Sequence, residues 1–279
     1  MGRNPRFHAV PKVFMNFPIE KTGEIFASVA HEDELYQPVY EVAGLEGATY
    51  TITAKEDVVT PDGTVRYTAG EVVDTVTTGS DGIAVSKELY LGTYLVTEDE
   101  SPYGMTINKE PQTVELVYAG QTVELTETST GFYNERQHMS ISLEKFMETD
   151  ELFGIGSNGE AANVTFGLYA ADPITAADGS EIPADGLIEV VAVGADGTAS
   201  CQSDLPLGSF YLQELATDSH YLLTDEKFPV TFEYAGQDTS VVKIVANDGE
   251  AIVNELKYGS VFGMKTGEDG EALEGALIG

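Results

Sequence analysis

Six polar residues of the 279-residue chain fall into two ordered sets: Lys21, Glu98 and Asn134, then Lys145, Glu214 and Asn254. A lysine, a carboxyl group and a carboxamide held together out of water can carry out one specific reaction. Burial disfavours the ammonium, so the lysine is expected to shift toward a neutral, nucleophilic amine. That amine can attack the asparagine side-chain carbonyl while the carboxyl group shuttles protons, expelling ammonia and leaving a Lys–Asn isopeptide bond. Folding holds the reactants together and supplies the proximity that amide exchange otherwise lacks. Such chemistry runs once per set, without cofactor or metal and without turnover on an external substrate. Glu98 and Glu214 are then the candidate catalysts, and Lys21, Asn134, Lys145 and Asn254 the candidate cross-linked residues.

Strands must deliver these side chains to a common interior. Residues two apart on a strand face the same side. Lys21 therefore shares a face with Phe17 and Ile19, and Lys145 with Ile141 and Leu143. Glu98 lies in line with Tyr94 and Val96, Glu214 with Phe210 and Leu212, Asn134 with Phe132, and Asn254 with Ile252. A single inward lysine near a strand end ordinarily snorkels to the surface. A buried Lys–Glu ion pair with an asparagine hydrogen bond is a second ordinary account. Recurrence of all three residue types, on six different strands, weighs against both.

The sets sit inside a larger repeat. The stretch Asp81-Gly82-Ile83-Ala84 through Glu98 returns as Asp196-Gly197-Thr198-Ala199 through Glu214, with one extra residue between the two copies. Tyr118-Ala119-Gly120-Gln121 returns as Tyr234-Ala235-Gly236-Gln237, and Tyr133-Asn134-Glu135-Arg136 as Val253-Asn254-Glu255-Leu256. The offset is 116 from Glu98 to Glu214, 120 from Asn134 to Asn254 and 124 from Lys21 to Lys145. A period of this size reads as tandem modules rather than a solenoid. The expected division is a tail at 1–12, one module at 13–137, a second at 138–257 and the start of a third at 258–279. In that last stretch Ser260 to Lys265 aligns with Ile141 to Lys145, which predicts one or two loosely held strands and leaves Lys265 a free amine.

The coarse structure is all-β. Ala48–Ile52, Thr113–Val117, Val230–Tyr234 and Val241–Val245 alternate with period two, and Asp-Gly turns at 62–63, 81–82, 178–179 and 196–197 punctuate them. About seven short strands per module favour a small sandwich. The alanine-rich stretch Ala170–Ala177 predicts at most one helical turn, since Pro173 opposes more. Residues 22–46 form an insert without a counterpart in the third stretch, which leaves the register of the first strand open.

Composition excludes several classes. With 47 acidic against 14 basic residues, the formal net charge of −33 rules out a basic nucleic-acid-binding surface. One cysteine, Cys201, rules out a disulfide framework within the chain and reads as a small buried residue in a repeat strand. The histidines at 8, 31, 138 and 220 lack metal-ligand spacing, and the Asp-Gly turns lack EF-hand spacing. No run is apolar enough for a signal peptide or a membrane span, so any export signal or anchor is expected outside these residues. Val10-Pro11-Lys12 faintly resembles the lysine motif by which sortases polymerise pilins, and Asn163-Val164-Thr165 has the glycosylation pattern.

The inward lysine of the first strand, the segment Gly92-Thr93-Tyr94-Leu95-Val96-Thr97-Glu98-Asp99-Glu100-Ser101-Pro102-Tyr103-Gly104 and the terminal-strand Asn134 together resemble the Cna-B family. That family, also called SpaA-like or prealbumin-like, occurs in pilins and surface adhesins of Gram-positive bacteria. The resemblance covers residues from about 13 onward. It implies tandem transthyretin-like, Ig-like β-sandwiches, with Lys21 joined to Asn134 under Glu98 and Lys145 to Asn254 under Glu214. The second copy departs from the pattern after Glu214, where Leu215 to Tyr221 lacks the Pro-Gly turn. The function implied is a stalk region of a cell-wall-attached surface protein, partnered by neighbouring repeats of its own chain. A module binding a host or polysaccharide ligand, or an accessory domain of a larger surface enzyme, is the alternative.

Overall fold

The computed structural model describes residues 14–117, 130–260, 262–272 and 274–275. Alternation is the rule that builds it. Thr49–Ala54 buries Tyr50, Ile52 and Ala54 and turns its threonines outward, so one face of the strand is greasy and the other polar. This strand lies in an antiparallel sheet of order Gln112–Leu116, Gly92–Glu100, Thr49–Ala54, Val72–Thr77. A second sheet has the order Thr130–Asn134, Pro18–Glu32, Leu35–Gly44, with Ile83–Val85 added against Pro18–Glu20. Between them lies a core of Phe17, Ile19, Tyr50, Ile52, Tyr94, Val96 and Phe132, among others.

The later residues repeat this plan. Leu187–Ala192, Thr165–Ala170, Gly208–Ala216 and Lys227–Phe232 make one antiparallel sheet. His138–Met147 is the centre of the other, flanked by Thr198–Ser200 on one side and by Val241–Val245 and then Ile252–Asn254 on the other. The side chains between these sheets form a separate core that includes Ile141, Leu143, Phe166, Leu168, Phe210 and Leu212. Layers of this kind are all-β sandwiches, packed through one face of each sheet.

Three local expectations need correction. Ala170–Ala177 forms no helical turn: Ala170 ends a strand, and Ile174–Thr175 pairs with Glu181–Ile182. Alanine serves there as a side chain small enough for a tight core, with Ala170 and Ala176 both buried, while the described 3-10 turns lie at Glu160–Asn163 and Asn247–Gly249. Beyond Leu256 the described residues contain only an isolated bridge between Thr266 and Ala272, with no strand, and Lys265, Phe262 and Met264 are exposed. A lone strand without a sheet to join leaves both its edges unpaired, which explains the difference. Cys201 stands one residue past its strand and is half-buried rather than enclosed. Burial, with Glu189 nearby, pushes its thiol up to about 12, so it is an inert thiol at neutral pH.

The insert becomes a long hairpin. Pro18–Glu32 and Leu35–Gly44 pair antiparallel around a two-residue turn, Asp33-Glu34, whose φ values of 48° and 68° suit the right-handed twist of a hairpin. The hairpin reaches the second set of sheets. Ala177 and Asp178 donate backbone hydrogen bonds to the carbonyls of Phe26 (3.0 Å) and Ala27 (3.1 Å). Val29 N–H donates to Ser180 Oγ at 2.8 Å and Gln37 Nε2 to the Ile188 carbonyl at 2.6 Å, while Phe26, Val29 and Tyr36 pack on the second core. At the hairpin base, Arg136 lies 3.9 Å over the Tyr40 ring, pairs with Asp204 and donates to the Leu205 carbonyl at 3.3 Å. Gln137, 1% exposed, donates to the carbonyls of Gly236 and Thr239 and accepts from Ala235 N–H.

Candidate functional site

Parallel pairing brings the lysine and asparagine strands together. Lys21 sits opposite Phe132, two residues before Asn134, and Lys145 sits opposite Ile252, two residues before Asn254. Each lysine's own backbone is fixed by an Asp-Gly turn. Lys21 N–H donates to the Gly82 carbonyl and Lys145 N–H to that of Gly197, both at 2.7 Å. These glycines have φ of 77° and 80°, and a Cβ on them would stand 2.5 Å from the Lys21 carbonyl oxygen and 2.6 Å from that of Lys145. Only glycine satisfies both the dihedral and the close approach. The turns that read as mere punctuation in the sequence are thus what hold the lysines in register.

All six residues are interior: Lys21 is 0%, Glu98 3%, Asn134 1%, Lys145 6%, Glu214 4% and Asn254 1% exposed. In the first set Lys21 Nζ donates to Asn134 Oδ1 and lies 2.9 Å from Glu98 Oε1. Asn134 Nδ2 donates to the same Glu98 oxygen at 2.9 Å. The second set repeats this with Lys145 Nζ 2.6 Å from Asn254 Oδ1 and 3.5 Å from Glu214 Oε1, and Asn254 Nδ2 2.7 Å from Glu214 Oε1. One carboxylate oxygen thus touches both the amine and the amide nitrogen, the geometry needed to carry a proton between them. The other oxygen is held by a backbone N–H, from Asn108 (2.9 Å) in the first set and Thr224 (3.1 Å) in the second.

Aromatic rings wall the sites. The Phe132 ring centroid is 5.9 Å from Lys21 Nζ, and the Phe166 centroid is 5.9 Å from Lys145 Nζ. Both lysines are lowered from their ordinary 10.5, chiefly because burial removes water from the ammonium, with the neighbouring glutamate opposing the shift. Each arrangement is a lysine displaced toward the neutral amine, against a carboxamide whose nitrogen already faces a proton carrier.

Several supporting groups went unread in the sequence. Asn108 and Thr224 are related by the same 116-residue offset as the two glutamates, but they act through the backbone, which side-chain identity does not reveal. Thr217 Oγ1 accepts from Asn254 Nδ2 at 2.6 Å. Tyr50, opposite Glu98 on the neighbouring strand, is fully buried with its hydroxyl unpaired among the described residues.

The remaining candidates assemble nothing comparable. His138 Nδ1 lies 3.1 Å from Asp204 and His220 Nδ1 2.7 Å from Asp218, and His31 stacks on Tyr36. No cluster of possible metal ligands occurs among the described residues, and no helix there is long and apolar enough to cross a membrane. His8, the Val10-Pro11-Lys12 stretch and the first Tyr-Ala-Gly-Gln copy at 118–121 lie outside the described residues.

Comparison with known proteins is consistent with this architecture. Residues 40–130 match the family model described as SpaA, prealbumin-like fold domain, a span that contains Glu98 but neither Lys21 nor Asn134. No curated protein matches the chain. Among solved structures, the Bacillus anthracis TIE protein superposes with a TM-score of 0.50 at 16% identity, covering 93% of this chain and 40% of its own. The chain therefore spans under half the length of that protein. The minor pilin GBS52 of Streptococcus agalactiae matches at 17% identity and TM-score 0.31, over 90% of this chain and 99% of its own. The SpaE basal pilin of Lactobacillus rhamnosus GG matches at 15% and 0.36, over 86% and 92%. The all-β sandwich around the matched span is similar to a SpaA-type, prealbumin-like domain.

Proposed function

We propose that this chain is a load-bearing stalk segment of a Gram-positive surface protein of the pilin or adhesin kind, stabilised by isopeptide bonds Lys21–Asn134 and Lys145–Asn254. The observation that carries the reading is the same buried Lys, Glu and Asn constellation occurring twice, with one glutamate oxygen touching both reacting nitrogens each time. Two cores and two sets of sheets favour modules at 13–137 and 138–257. The match of residues 40–130 to the SpaA, prealbumin-like family model fits a site outside the cell, attached to the wall, with neighbouring repeats as partners.

In the reaction, Lys145 Nζ or Lys21 Nζ bonds to the asparagine Cγ, and the Cγ–Nδ2 bond breaks. One proton passes from Nζ through the glutamate to Nδ2, which leaves as ammonia. Intact-mass measurement of the purified chain should show a deficit of two ammonia molecules, and Lys21→Ala or Asn254→Ala should each restore one. A chain of full mass would sink the reading.

Lys21 also gives a pH test. In Asn134→Ala the amine stays free, and its folded pKa lies below the unfolded 10.5. Between those values the unfolded chain binds more protons, so stability rises with pH through the window and falls as pH drops back through it. Urea midpoints between pH 7 and pH 10 should climb more steeply in Asn134→Ala than in Lys21→Met/Asn134→Ala. Equal slopes would mean that Lys21 is not held as a desolvated amine.

A further inference from the structure

At the nitrogen that leaves, the two sites differ by one contact. In the second set both hydrogens of the Asn254 amide are taken, one by Glu214 Oε1 at 2.7 Å and the other by Thr217 Oγ1 at 2.6 Å. In the first set Asn134 Nδ2 has Glu98 alone among the described residues, because Ser101, the counterpart of Thr217 at the 116-residue offset, donates its hydroxyl to the Met105 carbonyl at 3.0 Å. Thr217 stands three residues past Glu214, beyond the end of the strand Gly208–Ala216, and is half-buried. It lies between the enclosed amide nitrogen and the surface.

We infer that Thr217 is a catalytic residue of the second cross-link, holding the amide nitrogen of Asn254 before the reaction and stabilising it as it departs. The inference rests on the isopeptide reading. Before attack, the two acceptors fix the carboxamide with Nδ2 toward Glu214 and Thr217 and Oδ1 toward Lys145 Nζ, 2.6 Å away. A flipped amide would set Oδ1 against the Glu214 carboxylate, so the flip is disfavoured. An amide nitrogen is planar and its lone pair is delocalised into the carbonyl. Once Nζ has added to Cγ the nitrogen becomes pyramidal and basic. Glu214 delivers its proton to that new lone pair, and the N–H already held by the Thr217 oxygen then carries developing positive charge and becomes a stronger donor. The contact then strengthens as the Cγ–Nδ2 bond breaks, which is the condition for lowering a barrier rather than merely binding the ground state. The proton that completes ammonia still arrives from Nζ through Glu214, so atoms balance without a further reactant.

The two reactions occur in one molecule, and the first serves as an internal clock for the second. The full chain is made by cell-free synthesis and sampled over time. Intact mass counts the ammonia lost, and peptide mapping assigns each loss to Lys21–Asn134 or Lys145–Asn254. Thr217→Val should slow the second loss about ten-fold or more and leave the first unchanged. Thr217→Ala, which removes the hydroxyl without adding bulk at the nitrogen, should do the same, while Thr217→Ser should stay within about three-fold of the parent. Slowing of the second loss by less than about three-fold in Val or Ala overturns the inference while leaving the bond itself standing. Slowing equally by Ser also overturns it, since that would mark the methyl group and its packing as the cause. A parent chain that never loses the second ammonia instead defeats the cross-link reading.

Discussion

Glu98→Ala is expected to abolish the first loss of ammonia, spare the second, and lower the thermal midpoint of the first module by roughly 20 °C or more. Two effects combine. The residues that would be joined are 113 positions apart, and the chain-entropy arithmetic used for disulfides gives about 4–5 kcal/mol for closing a loop of this length. For a domain of this size each kcal/mol is worth roughly 3–6 °C. Alanine also strands Lys21 in an interior where it is 0% exposed, and breaking a buried pair on one side costs about 3–5 kcal/mol unless the amine gives up its proton. Glu98→Gln separates the two effects, since it keeps a hydrogen-bonding side chain but cannot carry the proton. Calorimetry paired with intact mass distinguishes the cases: Gln should lose the bond and the smaller share of stability, Ala the bond and the larger. Retention of both ammonia losses in either variant would remove Glu98 from the reaction.

Pulling the chain by its ends should give a larger contrast still. With both bonds in place, tension enters at Lys21, crosses to Asn134, runs along the chain to Lys145 and crosses again to Asn254. The 113 positions between the first pair and the 109 between the second carry none of it. At about 3.3–3.6 Å per extended residue, each sandwich therefore hides roughly 360–400 Å of chain. Single-molecule stretching of the parent should show no unfolding step from either module. Asn134→Ala should add one step of roughly 370–400 Å, and the double variant with Asn254→Ala should add two. A parent that already yields such steps would mean that the strands are tied by hydrogen bonds alone.

The interior of each site was legible because strand parity is strict. Lys21 two residues after Ile19, and Glu98 two after Val96, could only face the core once those strands existed, and all six polar residues are interior. Pairing between strands was not legible, since hydrogen-bonding partners leave no trace in side-chain type. Asn108 and Thr224 were missed for that reason, and Thr217 because it lies past its strand end, where parity no longer applies. The hairpin was read only as an insert. Its strand Leu35–Gly44 has no fully buried residue, so no clean alternation marked it. One clue to the contact between the halves was present: where the repeat places Leu256 in the second core, the first copy has Arg136, a charge that makes sense only against Asp204 and Tyr40.

The hairpin has a consequence for shape under sideways load. Its residues lie between Lys21 and Asn134 in sequence, so it is bypassed when the chain is stretched and engaged only when the two sandwiches tilt against each other. Tilting must part the contacts of Phe26, Ala27, Val29 and Gln37 with the second set of sheets, most of them hydrogen bonds that re-form at no covalent cost. Length would thus be fixed by two permanent ties and straightness by a releasable strut, so that a rod of such units gives way elastically in a flow and recovers its line afterwards.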